Sequence, residues 1–303
     1  MGKSKPFRHP FEYAIVCLLI GVMRILPMRL GIFVGRLLGI IHYFVDPKHR
    51  HETMQHLRQA FGKEKSESEL KQIAIDSYKG QGVSLVETIY LQWMTSEKLL
   101  QWVSVDGLSH YLEAKKEGRG VIILTGHVGN WELIPKVFFA LHSQIHGTVR
   151  PLDNPYLNRL SQSWREKDGM IVLNKFSDAP RLVSLFRKGE SIGFLLDQNT
   201  HEADSVFVDF FGQEAATNKG VAILALRSGA PVIPVFMRRE GSRHRMIISP
   251  PVSIVKTPSY REDILNSTAL FTKVIEAHIR EAPDQWLWIH RRWKTKRTQK
   301  NHA

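Results

Sequence analysis

The stretch Val121-Ile-Ile-Leu-Thr-Gly-His-Val-Gly-Asn-Trp-Glu132 decides the fold, because an apolar β-branched run stops at a glycine and delivers a histidine and a carboxylate together. Val121 to Leu124 has the composition of a strand covered on both faces. Gly126 and Gly129 permit a tight turn, Asn130 can cap the next element, and Trp131 to Leu141 reads as a helix. His127 therefore falls in a strand-to-helix loop, with Glu132 in the first turn of the helix. Open α/β sheets place ligands at such loops, at the carboxyl ends of strands. Histidine is the usual general base near neutral pH, and a carboxylate on its second ring nitrogen would fix the tautomer. The turn holds no serine or cysteine, so the pair points to activation of a hydroxyl brought by a substrate.

Working outward, strand-like runs appear at Ile145 to Val149, Met170 to Leu173, Ile192 to Leu196, Val206 to Phe210, Val232 to Met237 and Arg245 to Ile248. Helix candidates lie between several of them, at Pro155 to Lys167, Ala179 to Arg187, Lys219 to Arg227 and Ile264 to Arg280. Asp153-Asn154-Pro155 is a helix start, with a capping side chain ahead of a first-turn proline. Ser66-Glu-Ser-Glu69 fits a capping box opening a long helix through Ile73, Ala74 and Tyr78, weakened in its middle by Gly80 and Gly82. This alternation predicts an α/β fold, a mixed central sheet covered by helices on both faces. Two parts follow: a helical membrane-anchoring segment over 1–45 and an α/β domain over 46–303.

The amino-terminal segment is the most apolar. Phe11 to Leu26 is broken only by Glu12 and Arg24, and Met28 to Val45 carries only Arg29, Arg36 and His42 as titratable charge. Each is somewhat short of the roughly 20 apolar residues that a perpendicular span needs. One crossing would also separate the basic segment Lys3 to His9 from a basic catalytic body, against the positive-inside tendency. A re-entrant hairpin or a helix pair half sunk in one leaflet satisfies both flanks better. No small-residue cleavage pattern follows the apolar run, which disfavours a signal peptide.

The 303 residues, 43% of them hydrophobic, can bury a substantial core and exclude disorder. The single cysteine, Cys17, rules out an intramolecular disulfide framework and is compatible with a reducing cytosolic face. A net charge of +13 favours anionic partners. Nucleic acid is the weaker choice, since zinc-finger spacing, an RNP-like aromatic strand and a heptad-linked basic region are all missing. Basic runs at the termini (Lys3, Lys5, Arg8; Arg291, Arg292, Lys294, Lys296, Arg297, Lys300) suit a solvated tail or a membrane or carrier contact. Although histidines number fourteen, none is in a metal-binding pattern: His49 and His51 are too close to share a helix face, and His201-Glu-Ala-Asp204 reads as a polar loop. No metal or cofactor is expected.

Thr125-Gly-His-Val-Gly-Asn-Trp-Glu132 resembles the His-x4-Asp/Glu signature of the glycerolipid and lipid A acyltransferase superfamily. Arg150-Pro-Leu-Asp-Asn-Pro155 resembles the second block of the bacterial lipid A lauroyl and myristoyl transferases. Matching blocks continue in order at Leu195-Leu-Asp-Gln198, Val206 to Gly212, Ala216-Thr-Asn-Lys-Gly220, Pro231 to Arg239 and Pro283-Asp-Gln-Trp-Leu-Trp-Ile-His-Arg-Arg-Trp293. The resemblance implies a bacterial inner-membrane enzyme with its site on the cytoplasmic side. It would move an acyl chain from acyl carrier protein, or from acyl-CoA, to a hydroxyl of a phosphorylated glycolipid, a lipid A precursor. A glycerolipid acyltransferase and a non-catalytic scaffold binding anionic lipid are the alternatives.

Acyl transfer from a thioester needs a base and an oxyanion stabiliser. His127 is expected as base, oriented by Glu132, with backbone N–H groups of the Gly126 to Asn130 turn as oxyanion candidates. Arg150, after a strand, suits a phosphate or the oxyanion, or a salt bridge to Asp153 or Asp197. Asp197 suits orientation of Arg150 or of the acceptor sugar, with Gln198 assisting. Lys219 suits acceptor phosphate at a helix start or an ordinary exposed position, and Arg238 and Arg239 invite the same phosphate reading.

Overall fold

The computed structural model describes residues 8–174 and 178–298; Lys3, Lys5 and Lys300 of the basic terminal runs lie outside them. Four helices come first: α1 (Arg8–Ile25), α2 (Met28–Val45), α3 (Pro47–Phe61) and α4 (Glu67–Leu91). Pro27 breaks the first two apart, lacking the N–H that a continuous helix would need there. Ser66 and Glu69 form the expected capping box, and α4 runs unbroken through Gly80 and Gly82. Next come α5 (Ser96–Trp102), β1 (Val103–Asp106), α6 (Leu108–Lys116), β2 (Val121–Thr125), α7 (Leu133–Ala140), β3 (Ile145–Val149), α8 (Pro155–Lys167), β4 (Met170–Asn174), α9 (Leu182–Arg187) and β5 (Ser191–Leu195). The chain closes with β6 (Ser205–Phe210), β7 (Gln213–Asn218), α10 (Gly220–Ser228), β8 (Val232–Glu240), β9 (Arg243–Ile248) and α11 (Tyr260–Glu281).

Seven strands form one mixed sheet in the order β1-β9-β8-β2-β5-β3-β4. Only the β8–β9 hairpin is antiparallel, and the other neighbours are parallel. Parallel pairing requires helical crossovers, and these cover both faces. Strand β2 demonstrates it: Ile122 and Leu124 enter the cluster with α4, α10 and α11, while Val121 and Ile123 enter the one with α5, α6 and α7. The run Val206 to Phe210 lies outside the central sheet, in an antiparallel hairpin with β7 packed on α11.

The apolar pair α1 and α2 rests on the body by a narrow seam. Gly31, Gly35 and Gly39 turn one bare strip of α2 toward α4, meeting the Tyr90 ring, the Gly82–Val83 backbone and the Tyr78 carbonyl in turn. Away from that strip Leu30, Phe33, Leu37, Ile41 and Phe44 are exposed, Phe33 and Leu37 on the flank that also borders α4, and α1 adds Phe11, Ile15, Leu18, Val22 and Ile25. Among the described residues α2 is the one helix long and apolar enough to cross a membrane, and 22% of it is buried.

Candidate active site

Strand register builds the site. Strand β2 runs parallel to β5 with Thr125 opposite Leu195, so the residues two further along both chains, His127 and Asp197, leave the sheet side by side. The His127 Nδ1–H donates to Asp197 Oδ1 at 2.8 Å, and the His127 backbone N–H donates to Oδ2 at 2.8 Å. A third donor, the Trp286 indole N–H, reaches Oδ2 at 2.7 Å. Burial alone would favour the neutral acid. The charge and hydrogen bonds of His127, with the indole, instead hold the Asp197 carboxyl down to about 2. The Trp131 ring packs edge-on against the imidazole, 4.7 Å between centroids, and the Gln198 amide lies 3.2 Å from Nε2.

The carboxylate bonded to the imidazole is thus Asp197, whereas Glu132, expected beside His127, is bonded elsewhere. Glu132 stands at the start of α7 and turns toward α8, where both its oxygens accept from Arg165, at 3.0 Å from Nε and 2.6 Å from Nη2. Although burial opposes the Arg165 charge, Glu132 more than restores it and raises the guanidinium pKa. The expected oxyanion donors are corrected in part. The N–H groups of His127, Val128 and Gly129 are engaged by Asp197, by the Gly126 carbonyl and by the Gln285 carbonyl.

A strap at the carboxyl-terminal block holds the turn in place. Trp286 bridges Val128 in antiparallel fashion, Gly129 N–H donates to Gln285 at 2.9 Å and Leu287 N–H donates to the His127 carbonyl at 3.2 Å. Gly129 makes this close approach at φ +61°, where the Met237 carbonyl leaves no room for a Cβ. Deeper in the block, His290 accepts from Asn199 N–H, and burial pushes its imidazole down to about 4. Arg292 is buried against Phe210 and donates to the Ala216 carbonyl, its pKa lowered by burial to about 10 against the opposing pull of Asp197. Sequence reasoning quoted this block without assigning it, and the signal was Asp-Gln-Trp, a polar run closing on a buried indole.

The remaining candidates are scattered. Arg239 comes near the site, held by buried Glu87 and by Ser84 Oγ at 2.9 Å, while the Gln285 side chain binds its backbone on both sides. Glu87 also accepts from the Asn130 amide at 3.0 Å, so Asn130 ties the turn to α4 and does not cap α7. Asp197 binds His127 and not Arg150; Arg150 is exposed and paired with Asp153 at 3.4 Å. Lys219 donates to the Ala203 carbonyl just ahead of α10, and Arg238 pairs with Glu281. Among the described residues no cluster of ligand-type side chains could hold a metal.

His127 opens onto a cavity of about 450 Å³ whose walls are apolar side chains of α1, α4 and α8, Val16, Leu85, Leu157, Leu160 and Trp164. Polar side chains line it as well, Gln92 and Asp168 among them. Asp168 accepts from the Gln92 amide at 2.8 Å and pairs with Lys136 at 3.0 Å, and burial raises the Asp168 pKa despite that lysine.

Known proteins resemble the chain in sequence over most of its length. Of the relatives, the lipid A biosynthesis palmitoleoyltransferase of Escherichia coli K12 is 28% identical over 97% of this chain and 95% of its own. The lauroyltransferase of the same organism is 29% identical over 77% of this chain and 75% of its own, and its myristoyltransferase 24% over 97% and 91%. A solved 1-acyl-sn-glycerophosphate acyltransferase of Thermotoga maritima aligns over 82% of this chain and 97% of its own, with 12% identity and a TM-score of 0.38. The sequence model described as bacterial lipid A biosynthesis acyltransferase matches residues 1–295, and the chain belongs to that family.

Proposed function

We propose that the protein transfers a fatty acyl chain from an acyl thioester, carried by acyl carrier protein, to a hydroxyl of a lipid A precursor at the inner face of the bacterial inner membrane. The observation that carries this reading is a histidine bonded to a buried, ionised aspartate in the wall of a largely apolar cavity. Asp197 keeps the proton on Nδ1, so Nε2 is the basic nitrogen. Nε2 takes the acceptor's proton as its oxygen attacks the thioester carbonyl. The tetrahedral oxyanion collapses, the carbon–sulfur bond breaks, and the imidazolium returns the proton to the departing thiolate. The acyl chain occupies the α1–α4–α8 cavity. Arg150, exposed near the cavity-lining Leu152, offers a charge to an anionic donor from the rim, and Lys219 is a more distant contact of the same kind.

The exposed apolar strip of α1 and α2 supports seating in one leaflet without a crossing. Each such side chain gains about 1.5–3 kcal/mol on leaving water. Because α2 lies along α4 and α4 along the body, a perpendicular span would drag the body into the bilayer with it.

The test is to incubate the full-length protein with acyl carrier protein and coenzyme A thioesters against lipid A precursors and lysophospholipids, and to weigh the products. An acylated lipid A precursor from the carrier-protein donor is expected, and its loss in His127→Ala. Acylation of lysophospholipid alone, from coenzyme A, would make the protein a glycerolipid acyltransferase; vesicle binding without turnover would make it a scaffold.

A further inference from the structure

A second cavity, of about 470 Å³, lies between α2 and α4. Its α2 wall mixes apolar Phe33, Leu37 and Ile40 with Arg36, and its α4 wall carries Lys79 with Asp76. Helix α2 contains no carboxylate, and among the described residues Arg36 forms no ion pair. A guanidinium on an otherwise lipid-facing strip is costly unless an anion meets it. Lys79, already 2.8 Å from Asp76, supplies a second cation on the facing helix. Asp284 also lines the groove, and burial raises its pKa.

The groove and the His127 cavity share Gly80, Arg239, Asp284 and Gln285 in their walls. At that junction α4 is bare: a Cβ on Gly80 would meet nothing nearer than the Asp284 carbonyl, at 3.9 Å. An amphiphile held in the groove is therefore one wall from the basic nitrogen.

We infer that this groove is the acceptor subsite: Arg36 and Lys79 hold a phosphate of the glycolipid acceptor, Phe33, Leu37 and Ile40 hold its hydrocarbon, and bare Gly80 leaves the way to His127 open. The inference rests on the acyl-transfer reading and adds the acceptor's place to it. A planar guanidinium grips phosphate oxygens in pairs, and an ammonium completes the charge.

The test uses the full chain in detergent micelles, with a phosphorylated lipid A precursor and its enzymatically dephosphorylated form. The Arg36→Gln, Lys79→Gln double variant should raise the KM for the phosphorylated acceptor at least tenfold, leave the donor KM unchanged and use the dephosphorylated acceptor as well as the parent does. In a His127→Ala background the same pair should weaken equilibrium binding of the phosphorylated acceptor by a like factor. Gly80→Leu should block transfer and Gly80→Ala should retain it. Equal loss on both acceptors, or an unchanged acceptor KM, overturns the inference. So does a double variant that loses only binding to anionic phospholipid vesicles, since the cations would then serve bilayer head groups. Turnover with an unchanged acceptor KM fails the groove alone, whereas no product from any donor fails the acyl-transfer reading beneath it.

Discussion

The turn around His127 and the helix pair α1–α2 are held by opposite means. The turn is held by directional bonds to specific partners: Asp197 accepts three hydrogen bonds, the strap takes up backbone groups, and Glu87 anchors Asn130. Helix α2 is held by shape, through glycines against α4, and α1 by Met23 buried against Val86 and Ile89, with a few polar ties such as Asn154 to Glu12 and Tyr90 to the Leu26 carbonyl. Proton transfer demands placement to fractions of an ångström, which directional bonds supply. Lipid contact demands an apolar surface whose neighbours exchange, and directional bonds would serve it poorly. On the proposed reading, one chain carries a chemical end and a lipid-facing end, joined along α4.

The largest effect should separate the two carboxylates near the base. Asp197→Asn should lower kcat by about two to four orders of magnitude, since the imidazole loses the partner that sets its tautomer. Glu132→Gln should cost about tenfold or less, because it loosens Arg165 on the cavity wall and leaves His127 bonded. Steady-state kinetics on both variants decide this, and a Glu132→Gln loss matching that of Asp197→Asn would restore the glutamate as orienting group.

The next effect reads the chemical end as stability. His290 is held near 4, below its ordinary 6.5, so the folded state binds fewer protons than the unfolded chain between those values. Stability is then complete above about pH 6.5 and falls as the pH drops toward 4, by an order of 3 kcal/mol from this group. Asp197, held near 2, adds a further loss only below its unfolded value of 3.8. His290→Gln should flatten the upper part of this profile in denaturant titrations between pH 7 and 4; an unaltered slope would assign the acid sensitivity elsewhere.

The smallest effect concerns the seam. Gly82→Val places two methyl groups against the Gly35 carbonyl and should cost about 1–3 kcal/mol by overpacking. It should also loosen vesicle binding while sparing the His127–Asp197 geometry. Thermal melts with flotation assays would show it, and a variant as stable and membrane-bound as the parent would mean the helices are held by something other than close backbone contact.

Much of the fold could be read wherever local chemistry was strong. The apolar run at Val121, the Ser66 box, the Asn154-Pro155 start and the bounds of Met28–Val45 all emerged in place. Strands β1 and β7 escaped notice, because Val-Ser-Val-Asp is short and Gln-Glu-Ala-Ala-Thr-Asn is scarcely hydrophobic; they exist by pairing with β9 and β6. The place of His127 in a strand-to-helix turn was legible, and its hydrogen-bond partner was not. Seventy residues separate His127 from Asp197, and adjacency arises only from the register of β2 on β5. Glu132, five positions away in sequence, belongs to a helix that turns it toward Arg165.

Helix α1 has Val16 in the wall of the reaction cavity and Phe11, Ile15 and Leu18 facing outward. In the proposed seating, one helix thickness separates the place of bond exchange from the hydrocarbon phase. A chain slipping past α1 need not cross water, so the concentration that governs turnover is the mole fraction of substrate in the leaflet. Diluting the surface with inert lipid at constant bulk acceptor would then slow the enzyme as surely as removing substrate does.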